Sequence, residues 1–165
     1  MASERIILGI DPGYARMGWG IIKITKSCEE TANVNCLGFG CVETPKDEEM
    51  GTRLAFLNDA LGQIIAHYQP HDIAIEELFF AKNQKTAMLV AHARGVIMMR
   101  AAQHTGRIFQ YRPNAIKLAT ACDQKADKKD ILAAVTNLLG FAHAPKLDDA
   151  ADALAIAITH ATTGI

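Results

Sequence analysis

The chain has 165 residues, half of them apolar and 21% charged, with a formal net charge of −1. That balance predicts one soluble domain over residues 1–165 with a full hydrophobic core, and it excludes a global positive field, so any nucleic-acid-binding surface must be local. No run of about 18 apolar residues could span a membrane and no signal-peptide core precedes a cleavage site, so a cytoplasmic protein without a membrane partner is expected.

In chain order, the short apolar run at 5–11 ends on Asp11 and Pro12-Gly13 and reads as a buried strand. "GWGIIKITK" (18–26) and "NCLGFGCVET" (35–44) predict two further strands in an antiparallel meander with the first. From Thr52, the spacing of Leu54, Leu57, Leu61, Ile64 and Ile65 predicts a helix that Pro70 ends. "DIAIEE" (72–77) is again a short apolar strand closing on acids. The stretch 83–104 is helical and apolar on more than one side, as expected of a helix buried in the core or against a partner. A fifth strand is expected over 106–111, then helices over about 112–121, 127–139 and 148–162. This order points to an α/β domain with a mixed sheet. Cys28, Cys36, Cys41 and Cys122 have neither zinc-ligand spacing nor a CxxC pair, which predicts reduced thiols.

The carboxylates carry the most information. Asp11 and Glu76 each close a short apolar strand, and if those strands are neighbours both acids emerge at one sheet edge, where α/β folds place ligands. In "KLDDAADALAIAITH", Asp149 and Asp152 are three apart and share a face at the start of a helix. Asp148 or Asp149 could also cap that helix. Each acid taken alone has an ordinary structural explanation, a strand end or a helix macrodipole. Together they do not: carboxylates converging at about 4 Å repel by roughly 4 kcal/mol per pair at an effective dielectric near 20. Protonation or cations must compensate them. Oxygen-only donors suit Mg²⁺ or Mn²⁺, and a pair of such ions is the device that activates water and stabilises a leaving oxygen in phosphodiester cleavage.

"ILGIDPGYARMGWGII", "IAIEELFFAKN", "AHARGVIMMRAA" and "DDAADALAIAITH", in this order over nearly the whole chain, resemble the RuvC-type Holliday-junction resolvases. The resemblance implies a ribonuclease-H-like fold, a five-stranded mixed sheet flanked by helices. It also implies a metal-dependent homodimer, joined through the helix at 83–104, that resolves four-way DNA junctions by paired symmetric nicks in recombination and repair. Asp11, Glu76, Asp149 and Asp152 fall on the family's catalytic acids and would hold two Mg²⁺, with Mn²⁺ as a substitute. Lys117 and Lys128 align with lysines near the scissile phosphate and the DNA backbone. Lys125, Lys129 and Arg112 extend that patch, although a solvated helix face explains Lys125 and Lys129 equally well. Phe79 falls where the family places an aromatic against an unpaired base, while Phe80 is expected in the core, and Lys82 and Asn83 would touch backbone nearby. Family members also act with a branch-migration motor.

Two departures from the family pattern stand out. Ala121-Cys122-Asp123-Gln124 replaces a glycine-bearing turn, which puts DNA contact by that loop in doubt, and Asp130 stands where glutamine is frequent. Three other readings remain at this point: a related nuclease for another branched DNA or a structured RNA, a junction- or RNA-binding protein that no longer cuts, and a nucleotide-binding protein of the actin-like fold. The last explains "GIDPG" alone but needs a second subdomain that 165 residues do not accommodate.

Overall fold

The computed structural model describes residues 3–26, 33–78 and 84–164. Three strands open it: β1 (Ser3–Asp11), β2 (Arg16–Lys26) and β3 (Asn33–Glu43). Helix α1 (Met50–Tyr68), strand β4 (Asp72–Glu76), helix α2 (Gln84–His104) and strand β5 (Ile108–Tyr111) follow, and α3 (Pro113–Ala121), α4 (Lys128–Leu138) and α5 (Asp148–Thr163) complete the chain. Each expected element is present, with ends displaced by a residue or two. The sheet order is β3-β2-β1-β4-β5. β1, β2 and β3 form the antiparallel meander, while β4 runs parallel to β1 and β5 parallel to β4.

Side-chain alternation along the central strands divides the core in two. On one face Leu8, Ile10, Ile73 and Ile75 pack with Leu57 and Leu61 of α1 and Ala93, Ile97 and Ala101 of α2. On the other, Ile7 and Ala74 meet Ile116 of α3, Val135 of α4 and the inner side of α5. Helix α5 lies unusually close to the sheet because both surfaces are bare. It presents Ala150, Ala153 and Ala157, and the strands answer with glycines. A Cβ at Gly9 would overlap the Ala153 carbonyl, and one at Gly18 the carbonyl of Asp149. A substitution at either position must therefore push the helix away.

Helix α2 is buried on one side only. Met88 and Met99 on its outer side are 63% and 52% exposed, so within one chain the second apolar face is uncovered. Among the described residues no helix is long and apolar enough to cross a membrane. Cys36, Cys41 and Cys122 are free thiols, and Cys28 lies outside the described residues.

Candidate active site

The parallel pairing of β1 with β4 sets Ile10 opposite Ile75, so the next residues, Asp11 and Glu76, leave the sheet side by side. By alternation both face α5. Asp11 is also paired across β2 with Gly18, whose missing side chain admits the backbone of Asp149. The first turn of α5 is thereby laid over the end of β1. Asp152, one turn further, faces the same space.

The electrostatics record this convergence. Burial first, then Glu76, Asp152 and Asp149, push the Asp11 carboxyl up to about 7. Burial and Asp152 likewise push Glu76 to about 7, with Lys128 opposing both shifts. The Asp152 carboxyl is raised by burial and by Asp149 and Asp148, against the pull of Lys128, whose Nζ lies 3.8 Å from its Oδ2. Asp149 is turned to the chain's own cation: Arg16 Nε lies 2.9 Å from its Oδ2. As placed, no three acid, His or Cys side chains among the described residues close around one point. Mutual repulsion explains this, since the two helix acids swing to Arg16 and Lys128 while the two strand acids stay unpaired among the described residues. An all-oxygen set with uncompensated negative charge fits a hard divalent cation.

The remaining expected residues separate. A cleft of about 80 Å³ has Lys117, Glu76 and Asp152 on its walls over Pro113, Ile116, Ile131 and Ile156, which places Lys117 at the acids. Lys125 and Lys129 are exposed at the entry to α4, with no ion pair among the described residues. Arg112 is exposed and pairs with Glu77 at 3.2 Å. Phe79, Phe80, Lys82 and Asn83 lie outside the described residues. A larger groove, about 240 Å³ between α1 and α2, is lined by Arg100, Gln103 and His104 among others, and no carboxylate borders it.

Three expectations are corrected or refined. Neither Asp148 nor Asp149 caps α5: the N-cap is Leu147, without a side-chain bond, and both acids sit in the first turn. Asp149 is committed to Arg16, and Asp148 is exposed beside the positive end of the helix dipole. In the departed loop, Cys122 has φ +58°, the left-handed region that favours glycine, so the turn keeps a glycine-like shape at a cost of about 1 kcal/mol. Asp130 has a structural role: with Asp127 it forms a capping box that starts α4 and so places Lys128.

Sequence reasoning missed two arginines. Arg16 holds Asp149, and Arg94 of α2 donates from Nε to the Glu76 carbonyl at 3.2 Å while also bonding Gln110. Arg94 thereby ties α2 to the end of β4.

The family model described as crossover junction endodeoxyribonuclease RuvC matches residues 7–160. The chain belongs to the RuvC family. The crossover junction endodeoxyribonuclease RuvC of Alkaliphilus oremlandii is 46% identical over 159 residues, covering 96% of this chain and 94% of its own. The structure of Thermus thermophilus RuvC superposes with a TM-score of 0.86 at 28% identity, over 96% of this chain and 95% of the other. The same protein in complex with Holliday junction substrate gives 0.87, again at 28% identity, over 97% and 94%. A RuvC-type, ribonuclease-H-like fold is thus established, and the chain is a nuclease of a metal-dependent family. The actin-like alternative falls with that assignment.

Proposed function

We propose that this chain is a homodimeric, Mg²⁺-dependent endonuclease, a single nuclease domain acting in the cytoplasm. It resolves four-way DNA junctions by paired symmetric nicks in recombination and repair. The observation that carries the reading is the uncompensated charge at the sheet end, where Asp11 and Glu76 have carboxyls near 7 beside Asp149 and Asp152. Acids so displaced become fully ionised by gaining a cation, which makes the site a trap for divalent ions.

Asp11, Glu76, Asp149 and Asp152 hold two Mg²⁺, with Mn²⁺ as a substitute. Bound cations supply the charge that keeps these acids ionised, lowers the pKa of water and offsets charge on the phosphate. Lys117, on the wall of the same cleft, presents its ammonium to the scissile phosphate. Lys128 steadies Asp152 before DNA arrives and meets the backbone afterwards. Lys125 and Lys129 add salt-dependent, sequence-independent contacts. Arg112 joins them by exchanging Glu77 for a phosphate; Phe79 serves to stack on an unpaired base at the junction centre, and Lys82 and Asn83 to contact backbone nearby. The uncovered apolar side of α2, with Met88 and Met99, supports a two-fold dimer, and two-fold symmetry matches a substrate that needs two equivalent cuts. A branch-migration motor is the expected further partner.

The test is cleavage mapping on a synthetic four-way junction, a linear duplex and a hairpin RNA, each with and without Mg²⁺. Paired symmetric nicks in the junction alone are expected. Cuts confined to the RNA or the duplex would move the activity to another substrate. Asp11→Asn should abolish cutting while leaving junction binding intact, and full cutting by that variant in Mg²⁺ would overturn the site assignment.

A further inference from the structure

We propose that Arg16 is a positioning residue for Asp149: it covers one carboxylate oxygen and so fixes the other as the oxygen this acid offers to a divalent cation. The proposal rests on the reading of Asp149 as a cation ligand.

The geometry is specific to one oxygen. Arg16 Nε lies 2.9 Å from Asp149 Oδ2, and the Cys41 thiol donates to that same Oδ2 at 3.6 Å. Among the described residues no donor engages Oδ1. An ionised carboxylate with one oxygen held by a guanidinium presents its other oxygen in a defined direction, the arrangement by which neighbouring groups orient metal ligands. The backbone is held as well, because Gly18 leaves room for the Asp149 carbonyl and nothing larger would. Asp149 is thus fixed twice from β2, at its main chain by Gly18 and at its carboxylate by Arg16.

The placement of Arg16 follows from the turn after Asp11. Pro12-Gly13 reverses the chain closely enough that a Cβ at Gly13 would strike the Arg16 carbonyl, and Arg16 then opens β2 beside the acids. A bare positive charge here would repel the cation it prepares for. Glu43, paired with Arg16 across β2 and β3, answers this: its Oε1 lies 3.5 Å from Arg16 Nε on the solvent side. The Arg16–Glu43 pair is close to neutral overall, so its main effect on the site is directional.

The experiment titrates the DNA-free protein with Mg²⁺ alone and follows its thermal stability, comparing the wild type with Arg16→Gln, Arg16→Lys and Asp149→Asn. Arg16→Gln should move the Mg²⁺ midpoint up by about 10-fold or more. Its junction cleavage should return to within a few-fold of wild type at saturating Mg²⁺. Arg16→Lys should recover part of the shift, since an ammonium restores the charge without the planar fork. A lower melting temperature without Mg²⁺ and an unmoved midpoint would overturn the proposal and leave Arg16 purely structural. A lower midpoint would overturn it too, by making Arg16 a competitor of the cation. The parent reading fails differently: the wild type would then show no Mg²⁺ response, or Asp149→Asn would respond as the wild type does.

Discussion

Strand β4 begins and ends on an acid, and the two acids have opposite fates. Asp72 and Glu76 are four residues apart, so they point to the same face of the sheet, against the same helix α5. Asp72 meets the C-terminal part of that helix and Glu76 the N-terminal part. Asp72 is fully buried, which alone would push its carboxyl up. The hydrogen bond from Arg107, the approach of His160 and the charge of Arg5, 3.2 Å away, outweigh burial and hold it below the ordinary carboxylate range. His160, also fully buried, lies 3.3 Å from Asp72 and bonds the Tyr111 hydroxyl at 2.7 Å through Nδ1. Glu76 is less buried, yet its carboxyl stands near 7 because its neighbours are acids. One end of the strand therefore carries its own counter-charges and pins α5 to the sheet. The other end leaves the counter-charge to come from outside, and that end is the one suited to chemistry.

The sharpest way to break this contrast is to neutralise each acid in turn. Asp72→Asn leaves the partly exposed Arg5 and Arg107 without their buried partner and should cost about 1–3 kcal/mol of stability in urea unfolding. Glu76→Gln should abolish junction cleavage yet raise metal-free stability, on the order of 1–2 kcal/mol at pH 8, by removing a repelled charge. If Glu76→Gln destabilised the metal-free protein as much as Asp72→Asn, the two ends would not differ in kind.

The pH dependence follows with opposite signs. Asp11 and Glu76 have folded values near 7 against ordinary values of 3.8 and 4.5, so the folded state holds more protons between about 4 and 7. Metal-free stability from these two groups must fall as pH rises through that window and level off above it. At the other end, burial holds His160 below its ordinary 6.5, so the unfolded chain takes up a proton first and stability falls as pH drops below 6.5. Asp72, held below 3.8, adds stability that is lost only as pH falls beneath that value. Melting curves in a chelator from pH 4 to 9 should separate the two. The Asp11→Asn, Glu76→Gln double variant should lose the decline toward neutral pH and keep the acid-side decline, and an unchanged curve would contradict the assignment.

Much of this architecture is legible in the sequence because its signals are local. Short apolar runs mark β1 and β4, helical apolar spacing marks α1, and an acid that closes a buried run marks Asp11 and Glu76 without knowledge of their neighbours. Asp149 and Asp152 are legible for the same reason, through helical spacing. Asp72 opens its strand just as visibly, but its meaning depends on Arg5, Arg107 and His160, which only the folded sheet and helix bring to it. The same holds for Arg16 and Arg94: each contacts an acid-bearing residue far away in sequence, and no spacing rule connects them. Local patterns thus show where the charge lies, and tertiary contacts decide which charge is compensated.

The smallest effect probes the one described cation that opposes the raised carboxyls of Asp11, Glu76 and Asp152. Lys128 lies 3.8 Å from Asp152, but its side chain is 74% exposed. An exposed ammonium on a flexible stem is worth about 0–1 kcal/mol to a carboxylate, less than the guanidinium hydrogen bond that Arg107 gives the fully buried carboxylate of Asp72. Lys128→Gln should therefore change stability by less than about 1 kcal/mol. Because Lys128 pulls down the carboxyls of Asp11, Glu76 and Asp152 together, its removal should also shift the metal-free stability decline a fraction of a pH unit toward alkaline values. In cleavage the same variant should weaken junction binding and flatten its salt dependence, since a glutamine displaces no counterion from a phosphate. A drop in stability as large as that of Asp72→Asn would mean that Lys128 compensates the site from within, and the acids would then have no need of a cation from solution.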